Sequence, residues 1–117
     1  MEMIRKGVNG ILVYCRDLHK SARWYSQLGF TIGEHDFDHF VDLEVDGNYV
    51  LHLVKKEDFT SLAPPAFTFD TPDIEATFER LKENGVDIIG ELNRHSNHSE
   101  FSFRDLDGNT LMFTKWD

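Results

Sequence analysis

The residues of this chain with side chains fit for catalysis or ligand capture fall in a few short runs. In DGNYVLHLV (46–54), a strand's two-residue period turns Leu51 and Leu53 one way and His52 the other. An imidazole facing away from an apolar row can bind a metal, exchange hydrogen bonds with a guest, or be held by a neighbouring side chain. In FVDLEV (40–45), Val41, Leu43 and Val45 take the apolar parity, leaving Phe40, Asp42 and Glu44 on the opposite face. One aromatic ring and two carboxylates suit a flat cationic guest through stacking and charge; they equally suit the solvated face of an edge strand. In EFSFRD (100–105) the same parity groups Glu100, Ser102 and Arg104, where the guanidinium can neutralise nearby acids.

Other reactive residues carry weaker signals. His95 and His98 form an H-x-x-H pair, which on a helix would begin a metal site, but NRHSNHSE (93–100) reads as a long polar loop with solvated histidines. His35 and His39 stand in a β-rich turn region that does not stack positions four apart, so both are expected exposed. Cys15 is the only cysteine and lies in the apolar run ILVYC, so it is expected buried, with no internal disulfide. No Ser-His-Asp arrangement can be read from spacing.

The elements that must position these groups occur twice. GILVYC (10–15) is apolar and β-rich and runs into Asp17, a helix cap. Leu18, Ala22, Tyr25 and Leu28 follow at helical spacing, and Gly29 stops the helix. FVDLEV and YVLHLV then form a hairpin around Asp46-Gly47-Asn48. The second half repeats the order: AFTFD (66–70) as a strand, then a helix capped by Thr71 or Asp73 with Pro72 in its first turn. That helix has an apolar stripe of Ile74, Phe78 and Leu81 and a stop at Gly85. DIIGEL, EFSFRD, a turn at Asp107-Gly108-Asn109 and TLMFTKW complete it. Asp17 and Asp73, like Gly29 and Gly85, are 56 residues apart (73 − 17, 85 − 29), which marks an internal duplication. The fold class expected is α+β: one domain over 1–117 made of two βαβββ modules, about 7–57 and 63–117.

The net charge of −9 repels polyphosphates and attracts cations, which argues against a nucleic-acid partner. No run of eighteen apolar residues appears, and MEMIRKGVNG lacks a secretory pattern, so no membrane partner and a cytoplasmic location are expected.

VYCRDLHKSARWYSQLGF and FRDLDGNTLMF resemble the vicinal oxygen chelate superfamily, which includes glyoxalase I, extradiol dioxygenases and fosfomycin- and bleomycin-resistance proteins. The resemblance covers nearly the whole chain. It implies paired modules with curved mixed sheets, helices on the outer faces and a cavity within. It also implies four metal-ligand positions in metal-using members, which fall here on Gly10, His52, Pro64 (to within one residue) and Met112. Glycine and proline have no side-chain donor, and a thioether is a poor ligand for these metals, so no metal and no cofactor are expected. The nearest resemblance is to bleomycin-resistance proteins, which are metal-free dimers. By that resemblance the chain is a homodimeric binding protein for a small cationic or aromatic compound, with His52, Phe40, Asp42, Glu44, Met112, Ser102 and Arg104 around the ligand. The alternative is a metal-dependent glyoxalase-like isomerase or lyase, or a dioxygenase.

Overall fold

A computed structural model describes Met3 and residues 10–117; the first residues assigned to module 1, 7–9, lie outside this range. The chain forms two compact units that meet in sequence between Phe59 and Thr60. Each has the order strand, helix, three strands, with one four-stranded mixed sheet that does not close on itself.

In the first unit, β1 (Leu12–Cys15) pairs in parallel with β4 (Asn48–Lys55), which pairs antiparallel with β3 (Phe40–Val45), followed by β2 (Thr31–Asp36) at the edge. Between β1 and β2 runs α1 (Leu18–Ser26). It begins where the Asp17 carboxylate accepts the Lys20 N–H at 3.1 Å, satisfying a donor that the first turn would otherwise leave orphaned. That hydrogen bond holds the Asp17 carboxyl below its usual pKa. Leu18, Ala22 and Tyr25 are buried as their spacing requires, whereas Leu28 lies in the turn past the helix end. Gly29 follows at φ +113, a conformation that a side chain disfavours. Val13, Cys15, Val41, Leu43, Leu51 and Leu53 turn toward α1 and form the core.

The second unit has β5 (Phe69–Asp70), α2 (Ile74–Glu83), β6 (Asp87–Arg94), β7 (His98–Arg104) and β8 (Thr110–Trp116), with sheet order β5-β8-β7-β6. Phe69, Phe101, Phe103, Leu111 and Phe113 line its core with Ile74 and Leu81 of α2. Of the two cap candidates, Asp73 does the capping, accepting the Ala76 N–H at 3.0 Å. Pro72 therefore precedes the helix rather than entering its first turn. Thr71 turns inward instead, its hydroxyl 2.9 Å from that of Thr77.

Three further expectations are corrected. Of AFTFD only Phe69–Asp70 is strand, because its sole partner is β8, met at Phe113 and Thr114. Val45 is 40% exposed, since it ends its strand beyond a register shift and has left the core. The long loop over 93–100 does not exist: β6 runs to Arg94 and β7 starts at His98. The His95 N–H donates to the His98 carbonyl at 2.8 Å, so this stretch closes the β6–β7 hairpin. His98 is thus a strand residue, its ring stacked between those of His95 (4.6 Å) and Trp116 (4.4 Å). Cys15 is buried as expected, and His35 and His39 are exposed, His39 beside Asp36 at 2.9 Å.

Candidate functional site

The face of the first sheet turned away from α1 carries the polar groups. Asp42 of β3 lies directly across from His52 of β4, and the Asp42 Oδ1 meets the His52 Nδ1. A carboxylate can only accept, so Nδ1 carries the proton in this contact and Nε2 takes no part in it. The Asp42 side chain is 16% exposed and that of His52 35%, a pair accessible from one side. The Phe40 ring stands edge-on to the imidazole at 6.3 Å. Glu44 is half-buried and turns its carboxylate over Gly33 of β2, where any Cβ would collide with it. Leu12 and Tyr14 of β1 share this face and stay open at 61% and 40%.

Tyr49 belongs to this constellation and was not among the expected residues. The parity of β4 assigns it to the core with Leu51 and Leu53. A one-residue bulge at Val50 reverses that: Glu44 pairs with Tyr49, yet Leu43 pairs with Leu51. Tyr49 thereby joins the His52 face, its ring 4.5 Å from the imidazole at 45°. A sequence signal existed. Asp46 and Gly47, both at positive φ, make a two-residue turn that sets Glu44 opposite Tyr49, while the apolar alternation sets Leu43 opposite Leu51. Both registers hold only if one residue bulges.

The Tyr49 hydroxyl is shut off from solvent and makes no hydrogen bond among the described residues. Burial first, and the Asp42 charge second, push its pKa above that of a free phenol; the nearby Ile11 backbone opposes them without meeting hydrogen-bond geometry.

In the second unit, Ser102 lies opposite Met112, the pair that corresponds to Asp42 and His52, with neither side chain ionisable at neutral pH. Met112 is half-buried between buried Leu111 and Phe113, as His52 is between Leu51 and Leu53. Arg104 sits at the exposed end of β7, 3.1 Å from Asp87, and so neutralises an acid.

The four ligand positions can now be tested against register. Val13 pairs with Leu53 and Phe69 with Phe113, so β5 follows β1 by 56 residues (69 − 13) and the position matching Gly10 is Ala66, not Pro64. The short β5 hid this offset. Alanine supplies no donor either. Gly10 and His52 of the first unit thus offer one imidazole, and Ala66 and Met112 of the second one thioether; neither pair fits a divalent ion. Among the described residues, no three His, Cys, Asp or Glu side chains cluster to hold one elsewhere.

Two βαβββ units, each with a sheet covered by its helix on one side, define the glyoxalase-like class of proteins. Sequence comparison agrees, matching residues 7–113 to the Glyoxalase/Bleomycin resistance protein/Dioxygenase superfamily, and the chain belongs to that family. It is 27% identical to the uncharacterised protein YetH of Bacillus subtilis (strain 168), over 92% of this chain and 96% of YetH. Among solved structures it resembles the integron cassette protein HFX_CASS4 from the Halifax Harbour sewage outfall metagenome. The identity is 28% and the TM-score 0.78, over 95% of this chain and 99% of that one. It also resembles a glyoxalase/bleomycin resistance protein/dioxygenase from Alicyclobacillus acidocaldarius, with 20% identity and TM-score 0.73, over 95% and 92% of the two chains. No helix among the described residues is long and apolar enough to cross a membrane.

Proposed function

We propose that this chain captures a small, flat, cationic compound on the His52 face of its first sheet, without metal and without converting it. A bleomycin-type antibiotic represents the ligand class. The observation that carries this reading is the Asp42–His52 pair: the one imidazole at the family's ligand positions is committed to a carboxylate. With Nδ1 engaged, Nε2 accepts a hydrogen bond from an ammonium, amidinium or guanidinium group, and Asp42 and Glu44 supply countercharge. Phe40 offers a ring to the flat part of the guest. Two other rings already have cations of the chain itself beside them: Arg16 lies 4.3 Å from the centre of Phe59, and Lys56 lies 5.2 Å from that of Tyr14.

Titration calorimetry with metal-free bleomycin tests the reading. The expected result is saturable binding at micromolar protein that weakens as salt is raised. An absence of heat removes the drug-binding claim, and a salt-insensitive signal removes its electrostatic basis. Elemental analysis of tag-free protein supplies the opposing outcome, since a stoichiometric divalent metal would favour a glyoxalase-like isomerase or lyase, or a dioxygenase.

In this reading the protein works in the cytoplasm as a homodimer, the second copy covering apolar Leu12 and Tyr14. Light scattering at micromolar concentration is expected to return twice the chain mass. A monomer mass refutes the pairing.

A further inference from the structure

We propose that Tyr49 is the specificity-determining residue of this site: its ring occupies the place of the family's first-strand metal donor and closes the first sheet to a divalent ion. The inference rests on the reading of the His52 face as the ligand site, but its test reads metal rather than guest. A failed guest titration therefore leaves it standing, and its own failure leaves guest capture open.

Four observations converge. Gly10, where the first-strand donor would stand, has the parity of Leu12, which lies opposite His52. The space above it is filled: a Cβ on Gly10 would collide with the Tyr49 hydroxyl and with two carbons of its ring. The glycine is therefore more than a missing donor, because any side chain there would have to displace the phenol. The Val50 bulge is what delivers that phenol, since without it Tyr49 would point into the core. Lastly, the ring packs on His52 from one side while Asp42 engages Nδ1 from another, so the imidazole is wedged in an orientation set by carboxylate and phenol.

A phenolate could itself bind a metal, but burial and the Asp42 charge favour the protonated form. Asp42 alone could add a donor beside His52, and two donors do not hold a divalent ion against water. Gly10 thus leaves the first sheet without its first-strand donor, and the Tyr49 ring keeps that position closed. What remains is the hydrogen-bonding capacity of Nε2, directed at a guest.

The test uses tag-free full-length protein and Co²⁺, followed by visible absorption. Wild type and Gly10→His are expected to show no stoichiometric cobalt spectrum, the second because its new imidazole meets the Tyr49 ring. The double variant Gly10→His/Tyr49→Ala frees that space and brings two imidazoles and Asp42 to one face. It is expected to bind one Co²⁺ per chain at least about tenfold tighter than Gly10→His. Gly10→His/Tyr49→Phe keeps the ring and is expected to bind as poorly as Gly10→His. Tight cobalt binding by wild type, by Gly10→His or by the phenylalanine variant overturns the proposal, as does a folded double variant that binds none. Should the double variant not fold, proton NMR of the wild type decides. Gly10 is expected to show nuclear Overhauser contacts to the Tyr49 ring protons, and the absence of such contacts in the wild type refutes the placement.

Discussion

Replacing Asp105 by alanine is expected to lower the unfolding free energy by about 3–5 kcal/mol, read as a shift of the urea midpoint by circular dichroism. Asp105 is 8% exposed, and its carboxylate organises the whole β7–β8 turn. Oδ1 accepts the backbone N–H groups of Asp107 and Asn109, both at 2.9 Å, and Oδ2 accepts the Asn109 amide at 3.0 Å. Asn109, 1% exposed, accepts the Leu62 N–H at 2.9 Å on its own side-chain oxygen. Hydrogen bonds to a charged acceptor contribute about 1.5–3 kcal/mol each, and deleting the acceptor strands three donors, the two of Asn109 buried and that of Asp107 part-buried. The contributions are coupled, so the total falls below their sum. Asp105→Asn retains one accepting oxygen and is expected to lose less. A loss under about 1 kcal/mol for Asp105→Ala would show that the turn holds itself without the carboxylate. The same turn fixes the register that sets Ser102 opposite Met112, so damage here disorders the second sheet's ligand positions as well.

Asp42→Asn is expected to weaken binding of metal-free bleomycin about 10- to 30-fold and to remove most of its salt dependence. The amide is nearly isosteric, and its carbonyl can still accept the His52 Nδ1 proton, so the imidazole keeps its orientation while the charge is lost. Unit charges about 4 Å apart interact by about 4 kcal/mol at an effective dielectric of 20. Partial exposure of the pair and competing solvation of the guest reduce this to about 1.5–2 kcal/mol, the stated range. Calorimetry at two salt concentrations checks it. An unchanged Kd in a folded Asp42→Asn protein would mean that countercharge at this position plays no part in capture.

How far the chain could be read without coordinates differs by element. The two helices were legible because each signal is local: Asp17 and Asp73 reach a backbone N–H three residues on, and Gly29 and Gly85 both adopt positive φ. The β3–β4 hairpin was equally plain, because its two-residue turn dictates the pairing next to it. The polar run 93–100 misled, because composition marks a loop only when no partner strand claims the segment. Here β7 gains pairing with both β6 and β8, and His95, exposed as expected, stacks with His98, itself packed on Trp116. The third ligand position slipped by two residues because β5 is too short to carry a period of its own.

The sequence by itself determined the duplication, the βαβββ order, the core parity that sets His52 and Asp42 outward, and the lack of donors at position 10 and on Met112. These follow from the period of a strand and the chemistry of single side chains, which need no distant partner. Tertiary structure alone decided that Asp42 engages His52, where the bulge that turns Tyr49 onto their face sits, and that the phenol fills the space above Gly10. Cross-strand register is the reason, since one extra residue in β4 reverses every side chain between the bulge and the turn, and only the pairing with β3 reveals where that residue sits.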